Sequence, residues 1–208
     1  MTRSAGGSGP PCSREGLPRR AFPWSFETLS KPAMRGDGAE HMTNAIRILG
    51  LDPGLRRTGW GVVIVDGARL SHVAHGVIAP IDTLPFSERL LFLFEAVAAV
   101  VLAHQPDEAA IEETFVTANG SSTLKLGHAR AAAMLAPARA GLMVAEYAAK
   151  VVKKSVVGTG SADKTQVAFM IRRLLPAAGD VTADAADALA VAIAHAHARK
   201  MRRLGDAA

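Results

Sequence analysis

An α/β fold with a mixed sheet follows from three features of this 208-residue sequence. A short apolar run closes on an acid and a glycine turn. Two further strand-like runs follow it, joined by a hairpin signal. After these, helix-length periodicity alternates with short apolar segments. Strand–turn–strand gives the antiparallel part, and helix followed by strand gives a crossover that lays a new strand beside the first.

Ile46-Arg47-Ile48-Leu49-Gly50-Leu51-Asp52 reads as a buried strand, with Pro53-Gly54 as its turn. A buried strand tolerates no unpaired charge at its middle, so Asp52 sits where the backbone leaves the core. Gly59 to Val65 is a second strand, Asp66-Gly67 a two-residue hairpin signal, and Arg69 to Ala79 a third strand. Pro85 to Ala103 has helical spacing in Leu90, Leu91, Phe94, Val97, Val101 and Leu102, with Ser87 as its expected N-cap. Ala109 to Glu112 is a central strand ending in acids. Ser121 to Ala140 is helical, with Pro137 set to end or kink it, and Leu142 to Tyr147 is a fifth strand. Ala148 to Gly160 is a lysine-bearing segment, Ser161 is expected to cap a helix containing Lys164, and Thr182 a long helix to about Arg203.

Composition is that of a globular chain, 49% hydrophobic and 21% charged, and its net charge of +5 suggests a polyanionic partner. Residues 1–41 hold six Lys/Arg and four Asp/Glu, and the remainder carries 18 against 15, so the basicity is not confined to one arm. That first segment is rich in Gly, Ser, Pro and Arg and predicts a disordered extension, with Met42 offering an alternative translation start. Residues 42–203 are expected to form one domain and 204–208 a tail. The one cysteine, Cys12, lies in the extension, which fits a reducing, cytoplasmic setting. The longest apolar run, Leu90 to Ala103, is interrupted by Glu95 and too short to span a bilayer, so no membrane partner is expected.

Four carboxylates stand out by position. Asp52 and Glu112 end strands, and Asp184 and Asp187 open the last helix three residues apart, on one face. Singly, each has a plain reading: a common turn, a solvated strand end, or acids that complement a helix dipole. Ala183, Ala185, Ala186, Ala188 and Ala190 let that helix pack close to the sheet, so that all four acids can converge. Converging carboxylates repel one another unless a cation neutralises them, and hard oxygen ligands select Mg²⁺ or Mn²⁺. Two such ions would activate water and stabilise the leaving oxygen of a phosphodiester. Lys125, His128, Arg130, Lys153, Lys154 and Lys164 supply charge for a nucleic-acid backbone. Phe115, in a polar loop just past Glu112, either stacks on a base or anchors its own loop.

Across residues 46–198 the sequence resembles the RuvC family of bacterial Holliday-junction resolvases. The matching pieces are Gly50-Leu51-Asp52-Pro53-Gly54 with Thr58-Gly59-Trp60-Gly61, Ala110-Ile111-Glu112, and Leu124-Lys125-Leu126-Gly127-His128-Ala129-Arg130. They continue with Val152-Lys153, Gly158-Thr159-Gly160-Ser161-Ala162-Asp163-Lys164, and Ala183-Asp184-Ala185-Ala186-Asp187-Ala188-Leu189-Ala190. The resemblance implies an RNase H-like α/β fold, a five-stranded mixed sheet flanked by helices. It implies a homodimer that nicks opposed strands of four-way junction DNA, leaving 5′-phosphate and 3′-hydroxyl ends, and that works with the RuvA–RuvB branch-migration complex. By position Asp52, Glu112, Asp184 and Asp187 would be the catalytic metal ligands for two Mg²⁺ per subunit, with Mn²⁺ as a substitute. Lys153 and Lys164 match lysines near the scissile phosphates, Phe115 matches an aromatic that contacts bases at the crossover, and Lys125 and Arg130 belong to the DNA-binding set. One departure is Ala131, where glycine is expected. An actin-like or sugar-kinase-like phosphotransferase also ends its first strand in Asp beside glycine. That alternative calls for a separate adenosine site, for which roughly 160 residues leave little room.

Overall fold

The structure, a computed structural model, describes residues 45–113 and 119–205, with side chains as far as Arg199. Strands β1 (Ile46–Asp52), β2 (Thr58–Asp66) and β3 (Arg69–Ile78) form the expected antiparallel meander. Helix α1 (Phe86–His104) crosses to β4 (Glu108–Glu112), which pairs parallel with β1. Helix α2 (Gly120–Arg139) leads to β5 (Val144–Tyr147), parallel to β4. Helices α3 (Ala149–Val157), α4 (Lys164–Leu174) and α5 (Ala183–Gly205) complete the chain. Strand order is β3-β2-β1-β4-β5, a five-stranded mixed sheet with β1 at its centre.

The two-residue periodicity of β1 divides the core in two. Ile48 packs on one face with residues of α3, α4 and α5, while Leu49 and Leu51 pack on the other with residues of α1 and α2. All three are fully buried. Helices therefore cover both faces, as parallel strand pairs require. The hairpin between β2 and β3 pairs Asp66 with Arg69 and turns at Gly67, whose φ of +57° a side chain would strain.

Helix α5 lies unusually close to the sheet. A Cβ added at Gly50 would stand 2.1 Å from the Ala188 carbonyl oxygen, and one at Gly59 would stand 1.9 Å from that of Asp184. The alanines of α5 were expected to permit this approach, and Ala185, Ala188 and Ala192 are indeed fully buried. The strands contribute as much: glycine at 50, on the α5 face of β1, gives the helix a seat made of backbone.

Three local expectations differ from the structure. Pro85, not Ser87, stands at the N-cap of α1, without a side-chain cap; proline there presets the extended entry into the helix. Asp163, not Ser161, caps α4, in a reciprocal capping box with Gln166. Residues 149–157, read as a lysine-bearing segment, form a helix that buries Val152 and Val156 one turn apart and stops at Gly158, φ +91°. Its valines and scattered lysines concealed the period. Pro137 sits in the last turn of α2, buried, and its carbonyl accepts from Leu142 N–H at 3.1 Å.

A polar chain ties β4 and β5 to α5. The Tyr147 hydroxyl lies 2.8 Å from His195 Nδ1, and the Glu108 carboxylate accepts from His195 Nε2 and Arg199 Nε, each at 2.7 Å. His195 is fully buried. Burial works against the Glu108 carboxylate, but the hydrogen bonds from Arg199 and His195 outweigh it and hold the group below the usual carboxylate range.

Gly50→Ala should cost about 2 kcal/mol or more in urea unfolding, because the helix must lift off its seat. Gly127→Ala, in a helix with nothing within 4 Å of the added Cβ, should be neutral or stabilising by up to about 1 kcal/mol. A depressed carboxylate lends stability above its unfolded pKa and loses it as pH falls through the folded value. Glu108→Gln should therefore cost about 1–3 kcal/mol at neutral pH. Its deficit against wild type should shrink as unfolding is measured towards about pH 3.

Candidate active site

Strand parity decides where the acids point. Gly50 and Ala110 are register partners in β1 and β4 and both face α5. Two residues further along each strand, on that same face, stand Asp52 and Glu112. Helix α5 runs back over this end of the sheet with its first turn above it: Ala188 touches Gly50, and Asp184, one turn earlier, touches Gly59 through its carbonyl. Asp184 and Asp187 are thereby brought to the ends of β1 and β4. The four acids named from the sequence meet at one place.

Electrostatics report the same convergence. Burial pushes the Asp52 carboxyl up to about 7, and the charges of Glu112, Asp187 and Asp184 push in the same direction, with Lys164 opposing. Glu112 is raised by burial and by Asp187, against Lys153 and Lys164. Lys164 is raised in turn, chiefly by Asp187. Lys153 and Lys164 thus belong to the acid cluster as the basic half of a mixed-sign site. Like charges held together in a partly buried cleft are what functional sites impose and scaffolds avoid.

The outer acids have internal partners. Arg57 Nε donates to Asp184 Oδ2 at 2.5 Å, and Lys164 Nζ lies 3.4 Å from Asp187 Oδ2. Among the described residues, no three His, Cys, Asp or Glu side chains gather closely enough to hold a metal ion as they stand. Two of the four candidate ligands, Asp184 and Asp187, are engaged by these cations. The donor set itself suits a hard divalent ion: four carboxylates, no sulfur or imidazole, with Asp52 raised first by burial and then by its neighbouring carboxylates.

The remaining candidates separate. Arg130 Nε donates to the Glu112 carbonyl at 3.1 Å, and its guanidinium forms an ion pair with Glu146. It clamps the ends of β4 and β5 from α2, so it positions Glu112. Lys125 is exposed on α2. Phe115 lies outside the described residues. Sequence reasoning missed Arg57, which no periodicity or motif marks, because its partner lies 127 residues away. It also missed the glycine seat, for which Gly50, Gly59 and Gly61 on adjacent strands were a usable signal.

The family model for crossover junction endodeoxyribonuclease RuvC matches residues 48–195. A crossover junction endodeoxyribonuclease RuvC from Caulobacter sp. (strain K31) is 69% identical over 158 residues, covering 76% of this chain and 94% of the relative. That of Maricaulis maris (strain MCS10) is 66% identical over 167 residues, 80% of this chain and all of the relative. Among solved structures, Thermus thermophilus RuvC in complex with Holliday junction substrate superposes with a TM-score of 0.70 at 32% identity, covering 75% of this chain and 96% of that one. Fold, acid cluster and sequence agree, and the chain belongs to the RuvC family of crossover junction endodeoxyribonucleases, with their RNase H-like fold.

Proposed function

We propose that this chain resolves Holliday junctions by hydrolysing phosphodiester bonds in two opposed DNA strands. The observation that carries the reading is the convergence of Asp52, Glu112, Asp184 and Asp187 on one strand-end cleft in a member of this family. Divalent ions held by these acids, two Mg²⁺ in our reading with Mn²⁺ as substitute, would activate the attacking water and stabilise the leaving 3′ oxygen, giving 5′-phosphate and 3′-hydroxyl ends. Asp52, which feels the charges of the other three acids, would be one of the residues that hold these ions.

The chain's own residues do the rest. Glu112 is fixed in place by Arg130 on its carbonyl, so the carboxylate is held at the strand end. Lys153 and Lys164 stand beside the acids and bind the phosphates flanking the cut, which keeps the polyanion from being repelled by the ligands it must approach. Lys125 extends this basic surface along α2, and Phe115 contacts bases opened at the crossover.

One acid cluster makes one nick, so paired nicks require two copies. Exposed apolar side chains on α1 and α2 support a homodimer: Leu91, Phe92, Leu102, Leu124 and Leu135 all lie more than 40% exposed. Partnership with the RuvA–RuvB branch-migration complex, in the cytoplasm, belongs to the same proposal. Among the described residues no helix is long and apolar enough to cross a membrane. Residues 42–203 are assigned to the nuclease domain; helix α5 runs to Gly205, into the tail expected at 204–208, and residues 1–41 lie outside the described residues.

The test is strand cleavage of a synthetic four-way junction and a linear duplex of matching sequence, with Mg²⁺ and with EDTA. Symmetric, Mg²⁺-dependent nicks in the junction alone are expected; equal cutting of both substrates would remove the junction specificity. Asp52→Asn should lower the nicking rate by about three orders of magnitude or more, since it removes a charged ligand at the reacting centre. The same variant yields a stability prediction. An acid whose folded pKa is raised makes the fold less stable as pH climbs from the unfolded towards the folded value. Metal-free Asp52→Asn should therefore exceed wild type by about 2 kcal/mol at pH 8, and the gain should vanish near about pH 4.

A further inference from the structure

Arg57 has no role in the scheme above, yet its Nε lies 2.5 Å from Asp184 Oδ2, closer than Lys164 Nζ comes to Asp187. Its backbone is held firmly. The loop between β1 and β2 is closed by Thr58, whose hydroxyl donates to the Gly54 carbonyl at 2.8 Å and accepts from Gly54 N–H at 3.1 Å. Arg89 Nη2 donates to the Leu55 carbonyl at 2.9 Å, pinning the loop to α1. Two residues beyond Arg57, Gly59 touches the Asp184 backbone. Both ends of the ion pair are therefore mounted on fixed backbone, and only the side chains have freedom. The Arg57 side chain is 55% exposed and that of Asp184 29%, so the guanidinium lies at the mouth of the cleft and the carboxylate deeper in it.

We infer that Arg57 exchanges partners during the reaction cycle: it neutralises Asp184 while the site lacks metal, and contacts a DNA phosphate once metal holds Asp184. The inference rests on the resolvase reading. A carboxylate oxygen bonded to a guanidinium cannot at the same time give its full charge to a divalent ion, and two cations on one oxygen repel. Arg57 occupies Asp184 Oδ2, so a divalent ion entering at that oxygen competes with the guanidinium for it and weakens the pair. The displaced guanidinium, anchored by its loop at the cleft mouth, then faces a polyanion drawn to the same cleft. Its planar donor fork suits two phosphate oxygens at once, which a lysine ammonium does not. Lys164 is the weaker counterpart on the other flank, 3.4 Å from Asp187 and 76% exposed.

The exchange requires opposite signs from one substitution. In the full chain without DNA, Mn²⁺ binding followed by electron paramagnetic resonance should tighten about two- to five-fold in Arg57→Gln, the worth of a partly exposed ion pair. In the same variant with Ca²⁺ as the divalent ion, four-way junction binding should weaken. The slope of log affinity against log salt should fall by about one. Arg57→Lys, which keeps the charge, should leave that slope near wild type. Unchanged or weaker Mn²⁺ binding in Arg57→Gln overturns the inference, as does an unchanged salt slope. A variant that merely folds poorly would lose both affinities together, which is also against it. If the wild-type chain binds neither Mn²⁺ nor junction, the resolvase reading falls and takes this inference with it. If wild type binds both and Arg57→Gln behaves identically, the resolvase reading stands and only the exchange is lost.

Discussion

The contact on which the rest depends is that of α5 with the glycines of β1 and β2. At Gly50 and Gly59 the helix backbone occupies the space in which any side chain would begin. This sets the distance between helix and sheet, and so the distance between the two kinds of acid. Asp52 and Glu112 are delivered by strands whose register is fixed by hydrogen bonds, and Asp184 and Asp187 by a helix whose depth is fixed by glycine. Had the seat been built of valine, the helix would stand ångströms higher and its acids would end in solvent. The site is a property of an interface between two rigid elements, which is the kind of support that holds reacting groups to sub-ångström tolerance.

The cluster is frustrated by design of its charges. Burial and neighbouring carboxylates raise both Asp52 and Glu112, the former to about 7, so the fold works against the charged form of each. That stress is confined to the strand ends. The neighbouring polar chain through Tyr147, His195, Glu108 and Arg199 has the reverse character, with its carboxylate satisfied by two donors and its pKa depressed. One buried carboxylate secures the fold and another burdens it, with β4 carrying Glu108 at one end and Glu112 at the other. The difference lies in partners: Glu108 meets donors, and Glu112 meets acids.

Much of this was legible in the sequence. The five strands, the crossover and the four acids were readable because each rests on a local signal: alternation, a hairpin dipeptide, an acid at the end of an apolar run. What was not readable depends on neighbours far apart in the chain. Helix α3 was hidden because its β-branched valines are poor helix formers, and its period shows only once Val152 and Val156 have a core to face. The clamp of Arg130 on Glu112 and Glu146 carries no local signal, because it exists only after α2 packs beside β4 and β5. Arg57 belongs to the same class, with a partner 127 residues on.

These long-range pairs share a logic. Arg130 acts on the backbone of Glu112, so it can stay in place whatever the cleft contains. Arg57 and Lys164 act on carboxylate oxygens of Asp184 and Asp187, which a metal would compete for. Fixed support and exchangeable neutralisation are therefore assigned to different cations on different elements. A cleft with four acids and no such cations would be too repulsive to stay closed before metal arrived, and one with permanently bonded cations would exclude the metal. Placing the exchangeable pair at the exposed flanks, where an ion pair is weak, meets both demands, because a weak pair is easily surrendered.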